Sequence, residues 1–402
     1  MKQEVILNQP LHLCYTKLRI SISKADRIAP LIQYDGQMTR STTPINLFEY
    51  QTLAAQQLPQ MALDYYASGA WDEITLRDNR AAFEHYKLRP RMLVDVSQRD
   101  LTTTILGQSL PSPILIAPMA FQCLAHPDGE VATAKAAAKL GSVMVLSTLS
   151  TKSIEDVASV RNSTPQWFQL YVHRDRGLTR ALVERAYAAG FQALCLTIDV
   201  PVLGRRERDT HNQFVLPDGM ELANFSRLND LEIGFKPGES GLFAYVVEQF
   251  NPSLTWADLE WLRSLSPLPL VLKGILRGDD AIRAREYGAS AVIVSNHGGR
   301  QLDSAIASID ALSEVVAAVG DQIDVLVDGG IRRGTDVLKA LALGAKAVLL
   351  GRPVLWGLAV GGEAGVEHVL NLLLNELDLA MALSGCAKLQ DIDSSLVVRG
   401  WQ

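Results

Sequence analysis

An alternation repeated eight times leaves this chain few folds to choose from. A short run of apolar residues is followed by an amphipathic stretch of helical period, again and again. The runs are Ile114–Ala117, Val143–Leu146, Trp167–Tyr171, Leu194–Ile198, Leu270–Lys273, Ala291–Ser295, Asp324–Asp328 and Ala347–Leu350. Helical patterns between them include Gly129–Leu140, Leu178–Ala189, Asp279–Tyr287, Ile306–Val319 and Thr335–Leu343. Strands apolar along their whole length are covered on both faces, and intervening helices make the connections parallel crossovers. Eight units predict an α/β fold, the (β/α)8 TIM barrel. An open doubly wound sheet is the alternative. It calls for a glycine-rich nucleotide turn after the first strand, where this chain has Pro118-Met119-Ala120-Phe121-Gln122.

Residues 1–43 lack periodicity and close on the polar run Thr39–Thr43, which predicts a disordered N-terminal arm. The barrel is expected over 44–385, with 386–402 as a C-terminal tail. An N-terminal helical segment, Phe48–Tyr66, precedes the repeats and either caps the barrel bottom or folds over its mouth. A long loop after strand 4, from Pro201 to Thr255, has the length of a lid or substrate loop. The helical pattern Ala364–Leu383 is apolar on a broad face and is expected on the barrel exterior.

Net charge is −6 over 402 residues, so there is no basic footprint for nucleic acid or an anionic membrane surface. No run of eighteen apolar residues offers a membrane span, and the first residues hold no secretory core. A cytoplasmic protein is expected. Cys14, Cys123, Cys195 and Cys386 are widely spaced, which reads as buried free thiols, and no histidine spacing suggests a metal.

The chemistry lies at the strand ends, because barrel active sites form at the C-terminal rim. Those ends carry Pro118-Met119-Ala120, Ser147, Gln169 with Tyr171, Thr197 with Asp199, Lys273, Ser295-Asn296-His297-Gly298-Gly299-Arg300, Asp328 and Gly351-Arg352. Gathering these charges in one mouth is costly unless they pair or bind something charged. Gly330 with Arg332, and Gly351 with Arg352, follow strands 7 and 8, a frequent phosphate position in barrels. His297, between a strand end and two glycines, suits a general base, and Asp199 can hold the imidazolium that results. Arg300 and Arg206 are planar donors for a carboxylate. Lys273 is a phosphate contact, a Schiff-base amine or a charge facing an electron-rich ring.

At these residues the chain resembles the FMN-dependent 2-hydroxy-acid oxidase and dehydrogenase family. The most specific match is Ser295 through Asp303, SNHGGRQLD. Supporting matches are Asp64–Ala70, Gln169–Tyr171, Leu203–Glu207, Leu272–Gly274, Asp328–Asp336 and Gly351–Pro353, in unbroken order from about Pro44 to Gly385. The resemblance implies FMN as cofactor and oxidation of a small L-2-hydroxy acid. It implies His297 as base with Asp199 as its partner, and Arg300 and Arg206 on the substrate carboxylate. Tyr65 and Tyr171 would supply hydroxyls, and Lys273 would sit beside the flavin. Ser147, Gln169 and Thr197 would bond the ring, with Pro118, Met119 and Ala120 passing beside it. Ser295 and Asp328 would meet the ribityl chain. Gly330, Arg332, Gly351 and Arg352 would hold the phosphate. The family likeness also implies a homotetramer.

Substrate size turns on two positions. Many glycolate oxidases carry Thr where this chain has Met119, and a bulky Trp where it has Leu149. Leucine opens room for a methyl group, so L-lactate is expected over glycolate, with mandelate less favoured. A haem domain and a membrane-docking segment are not found, which leaves molecular oxygen as the expected acceptor and hydrogen peroxide as product. A glycolate oxidase, a soluble dehydrogenase with another acceptor and a non-catalytic flavin-binding barrel are the alternatives. A type 2 isopentenyl diphosphate isomerase would have no use for His297 with Arg300. An IMP dehydrogenase-like barrel would need a cysteine in a mouth loop, which neither Cys123 nor Cys195 supplies.

Overall fold

The computed structural model describes residues 43–225, 245, 248–320 and 322–400. The expected N-terminal arm lies outside them, apart from Thr43. Ile45–Gln402 forms a unit of its own. Its centre is a closed barrel of eight parallel strands. In chain order they are β1 (Ile114–Ile116), β2 (Met144–Leu146), β3 (Gln166–Leu170), β4 (Ala193–Thr197), β5 (Leu270–Ile275), β6 (Ala291–Val294), β7 (Asp324–Asp328) and β8 (Ala347–Leu350). Each pairs with its sequence neighbours, and Val348 opposite Ile114 closes β8 on β1. All eight match the expected runs to within a residue or two at each end.

Side-chain parity explains how one sequence builds two cores. Successive strand residues point to opposite faces. Leu115, Val143, Val145, Trp167, Ala193, Cys195, Val271, Ala291, Ile293, Leu326, Ala347 and Leu349 pack inside the barrel. Their alternates, such as Ile116, Leu146, Phe168, Leu196, Leu272, Val294, Val327 and Val348, meet the surrounding helices. A hairpin of Thr103–Ile105 and Gln108–Leu110 adds Ile105 and Leu110 to the inner core. The Leu106 N–H donates to Asp324 Oδ2 at the start of β7, so the hairpin closes the N-terminal end.

The segment Phe48–Tyr66 is not one helix. It divides into Leu47–Gln57 and Gln60–Ala67. Pro59, which has no N–H and restrains the residue before it, stands as the N-cap of the second. That second helix carries Tyr65 and Tyr66 over the mouth, while the first packs on the long C-terminal helix. The latter begins at Arg352, well before the expected Ala364, and is broken at Gly361 and Gly362. Gly362 has φ +56, and a Cβ there would stand 3.0 Å from the His126 ring. Beyond Gly385, Val397–Arg399 pairs antiparallel with Tyr86–Leu88. Cys195 and Cys386 are buried and Cys123 only partly so, all three as free thiols, while Cys14 lies outside the described residues. Among the described residues no helix is long and apolar enough to cross a membrane.

Candidate active site

The parity that fills the barrel also builds its mouth. Running each inward register one or two steps past the apolar core reaches Met119, Ser147, Gln169, Tyr171, Thr197, Asp199, Lys273, Ser295, His297, Asp328 and Gly351. They surround a cavity with about 1140 Å³ of empty space, part of it open to solvent. Pro118, Ala120, Leu149, Gly330, Arg332 and Arg352 line it from the loops, Tyr65 from the helix Gln60–Ala67, and Arg206 and Arg300 from the two longer excursions. Of the residues singled out from sequence, only Asp199 and Ser295 stand behind the lining.

Both act through a neighbour. Asp199 Oδ1 lies 2.9 Å from His297 Nδ1. An ionised carboxylate can only accept, so this contact puts the proton on Nδ1 and leaves Nε2 with its lone pair free. Burial pushes His297 below its ordinary pKa, with Lys273 and Arg206 adding to the effect, while Asp199 works against it. The imidazole is therefore neutral at pH 7, the form a base requires. His297 adopts φ +59, and its N–H donates to Ser295 Oγ over 3.1 Å. Ser295 also accepts from Lys273 Nζ at 2.8 Å. Its hydroxyl thus fixes two other residues of the site.

Lys273 lies 3.1 Å from Asp328 Oδ2. Burial alone would lower the ammonium pKa, but Asp328 and Asp199 outweigh it and hold Lys273 above its usual value. A Schiff base requires the neutral amine, which the ion pair with Asp328 does not favour. Gly274 makes the approach of β4 possible: it has φ +113, and a Cβ would come 2.7 Å from that of Asp199.

Among the described residues the lining holds four arginines, Arg206, Arg300, Arg332 and Arg352, and one carboxylate, Asp328. Arg206 is 5% exposed, and its Nη1, 3.7 Å from Asp209 Oδ2, makes no hydrogen bond. Burial and the nearby Arg300 bring Arg206 down to about 10, and burial with Arg80 does the same to Arg332. Arg300 Nη1 donates to the carbonyls of Tyr65 (2.6 Å) and Ser68 (2.9 Å). Arg352 gives three donors to the carbonyls of Tyr66, Gly298 and Ser68, at 2.8, 3.0 and 3.0 Å. It joins the mouth elements and has fewer N–H groups left for an anion than its position suggested. Such a cluster in low dielectric calls for anions.

The residues fit an FMN-shaped ligand. Gly329 and Gly330 take φ +100 and +80, a backbone open to glycine, and a Cβ on Gly330 would fall 1.8 Å from the Asn79 carbonyl. The Asp328 Oδ1 atom is buried in the lining without a partner, an acceptor waiting for a hydroxyl. Gln169 Nε2 donates to Thr197 Oγ1 at 3.0 Å, and its Oε1 accepts from Thr148 N and, at 3.4 Å, from Ser147 Oγ, which lines up an amide and two hydroxyls along one wall. Among the described residues no group of three or more His, Cys, Asp or Glu side chains could hold a metal.

Several residues at the site were not singled out as site residues from the sequence. Phe250 stacks on Tyr171 with centroids 4.4 Å apart, and Phe214 stacks on Tyr65 at 4.5 Å. Both come from the long excursion after β4. Val200, Leu203 and Tyr66 complete the apolar wall. Phe214 stands behind Tyr65 and orients it without entering the lining.

Comparison with known proteins shows the family. Residues 54–399 match the family described as FMN-dependent dehydrogenase. The L-lactate oxidase of Nostoc sp. is 70% identical over 363 residues, covering 90% of this chain and 100% of that protein. Glycolate oxidase 1 of Zea mays is 52% identical over 353 residues, covering 88% and 95%. A crystal structure of mandelate oxidase with (S)-4-hydroxymandelic acid superposes with a TM-score of 0.83 at 44% identity, covering 87% of this chain and 97% of that one.

Proposed function

The chain belongs to the FMN-dependent dehydrogenase family, and from that premise we propose that it oxidises L-lactate to pyruvate at the barrel mouth while dioxygen is reduced to hydrogen peroxide. One observation carries the reading of the site: a histidine with its free nitrogen in a cavity that also holds under-compensated arginines. That is a base beside a carboxylate receptor.

FMN, when bound, supplies the acceptor for two electrons, which dioxygen then removes. Arg332 and the turns at Gly330 and Gly351 would hold its phosphate, Asp328 its ribityl hydroxyls, and Ser147, Gln169 and Thr197 its ring, with Lys273 as the charge beside that ring. Arg206 and Arg300 would receive the substrate carboxylate, a planar fork meeting a planar anion. Tyr65 and Tyr171 offer hydroxyls from the cavity lining. Burial raises both pKa values, so each stays a donor. His297 Nε2 takes the proton that leaves the substrate, and Asp199, held below its ordinary pKa by His297 and Lys273 despite burial, steadies the imidazolium. Phe250 and Leu203 give the cavity apolar wall beside these polar groups.

Substrate size supports lactate. Leu149 is 5% exposed and, with Met119, bounds the cavity. The Phe121 N–H donates to the Leu149 carbonyl, so the two loops that carry these side chains are tied together. Peroxide-coupled kcat/KM is expected to be higher for L-lactate than for glycolate, and the reverse order would overturn the substrate. In Leu149→Trp the indole takes the space of the methyl group. The lactate-to-glycolate ratio is expected to fall by roughly 10- to 200-fold, the effect of about one methylene in an apolar pocket. An unchanged ratio would remove Leu149 from the specificity argument.

The proposal extends to a cytoplasmic homotetramer. Met92, Leu93, Leu379 and Leu383 are exposed apolar residues, 73%, 106%, 58% and 68% accessible, on segments that the Arg91 N–H to Ser384 carbonyl bond brings together. Light scattering should give four times the mass of one chain, and a monomeric mass would refute this part.

A further inference from the structure

The turn bearing the base leaves β6 in a conformation that a side chain does not choose freely. His297, Gly298 and Gly299 all have positive φ, so something outside the turn must hold it. Ser295 braces one end. Asn296 braces the other, and its partner is Asn79, a residue of the helix Ile74–Ala81 that does not line the cavity.

The two amides form a closed pair. Asn79 Nδ2 donates to Asn296 Oδ1 and Asn296 Nδ2 donates to Asn79 Oδ1, both at 2.8 Å. Both residues are buried, at 2% and 4% exposure. Neither amide can reverse without loss. Asn296 Nδ2 also donates to the Ile306 carbonyl, and its Oδ1 also accepts the Gly299 N–H at 3.1 Å. Asn79 Oδ1 accepts the Ser308 N–H as well. The ring of bonds therefore spans the excursion from Asn296 to Ser308, which carries His297 and Arg300. The same helix abuts that excursion elsewhere: a Cβ on Gly299 would fall 2.6 Å from Leu76 N, and the Thr75 N–H donates to Asp303. On its other side the Asn79 carbonyl fills the space a Gly330 side chain would need.

We propose that Asn79 is a positioning residue for the oxidation: its amide sets the turn that aims His297 and Arg300, while its backbone seats the Gly329-Gly330 turn. The helix Ile74–Ala81 thereby fixes the base against the cofactor cradle. This rests on His297 as the base proposed above. Small misplacements of reacting groups are costly, on the order of 10²-fold for an ångström.

Two substitutions test it. Asn79→Ala removes the pair, and the rate of anaerobic flavin bleaching by L-lactate is expected to fall by on the order of 10²-fold with FMN still bound. Asn79→Asp replaces the amide with a group of the same shape that donates to Asn296 only when protonated. Its rate relative to the unmodified protein at the same pH is therefore expected to rise as pH falls, whereas the relative rate of Asn79→Ala stays flat. A bleaching rate for Asn79→Ala equal to that of the unmodified protein overturns the proposal. So does a flat relative rate for Asn79→Asp, and so does loss of FMN from Asn79→Ala. Pyruvate affinity, read from the shift of the flavin band without turnover, should weaken in Asn79→Ala because Arg300 rides the same turn. If the unmodified protein is not bleached by lactate, the functional reading fails, and a weakened response of Asn79→Ala to pyruvate still decides the role of Asn79.

Discussion

His297→Ala should lower the anaerobic bleaching rate with L-lactate by roughly 10²–10⁴-fold, the contribution of a positioned general base, while the yellow cofactor remains bound. Among the described residues His297 is the one histidine in the cavity lining, and the Asp199 contact at 2.9 Å commits its Nδ1 and frees Nε2. The His297 side chain is not part of the cradle proposed for FMN at Asp328, Gly330 and Arg332, so removing the imidazole should spare the cofactor. The same group fixes the pH profile. Burial holds the imidazole below its ordinary pKa of 6.5, so kcat/KM of the unmodified protein should be flat at neutral pH. It should fall only as the solution becomes acidic enough to protonate the ring, with an apparent pKa below 6.5. Turnover of His297→Ala at the unmodified rate would remove the histidine from the mechanism.

Arg300→Met should reduce kcat/KM for L-lactate by about 10²–10³-fold, equivalent to roughly 3–4 kcal/mol of lost transition-state binding. Most of it should appear in KM, because on the proposed reading the arginine holds the carboxylate before and during the reaction. Arg300 has a second duty, since its Nη1 ties the carbonyls of Tyr65 and Ser68 to the turn. Its guanidinium also stands 4.9 Å over the Tyr65 ring. Arg300→Lys keeps the charge but loses the fork, and should fall between the two. If Arg300→Met changes kcat and leaves KM untouched, the residue acts on the reacting centre and not on the carboxylate.

Much of this site is legible in the chain because strand geometry is periodic. Once Val145, Trp167, Cys195, Val271, Ile293 and Leu326 are known to face inward, two-residue steps along each strand reach Ser147, Gln169, Thr197, Lys273, Ser295 and Asp328. Ser295 shows what parity leaves out. It faces inward as expected, but the Lys273 ammonium covers its hydroxyl, and a side chain hidden by a longer neighbour cannot line a cavity. Arg352 shows the same limit for charge: position places it in the mouth, but only the fold reveals that three carbonyls engage it.

Phe214 and Phe250 were not legible, for a different reason. They lie in a connection without regular period, so nothing local says which way they point, and their stacking on Tyr65 and Tyr171 comes from distant segments meeting. Asn79 was hidden by its surroundings. Between Asp78 and Arg80 on a short charged helix it reads as a solvated face, and its burial is set by a turn more than two hundred residues away. The break at Pro59 did have a signal, since a proline inside a helical pattern ends the first helix.

Anaerobic addition of L-lactate to the purified protein, followed by admission of air, tests the central claim most directly. The account predicts that the flavin band bleaches at once and returns with air, with hydrogen peroxide formed in step with pyruvate. A bound flavin that L-lactate leaves oxidised would contradict it.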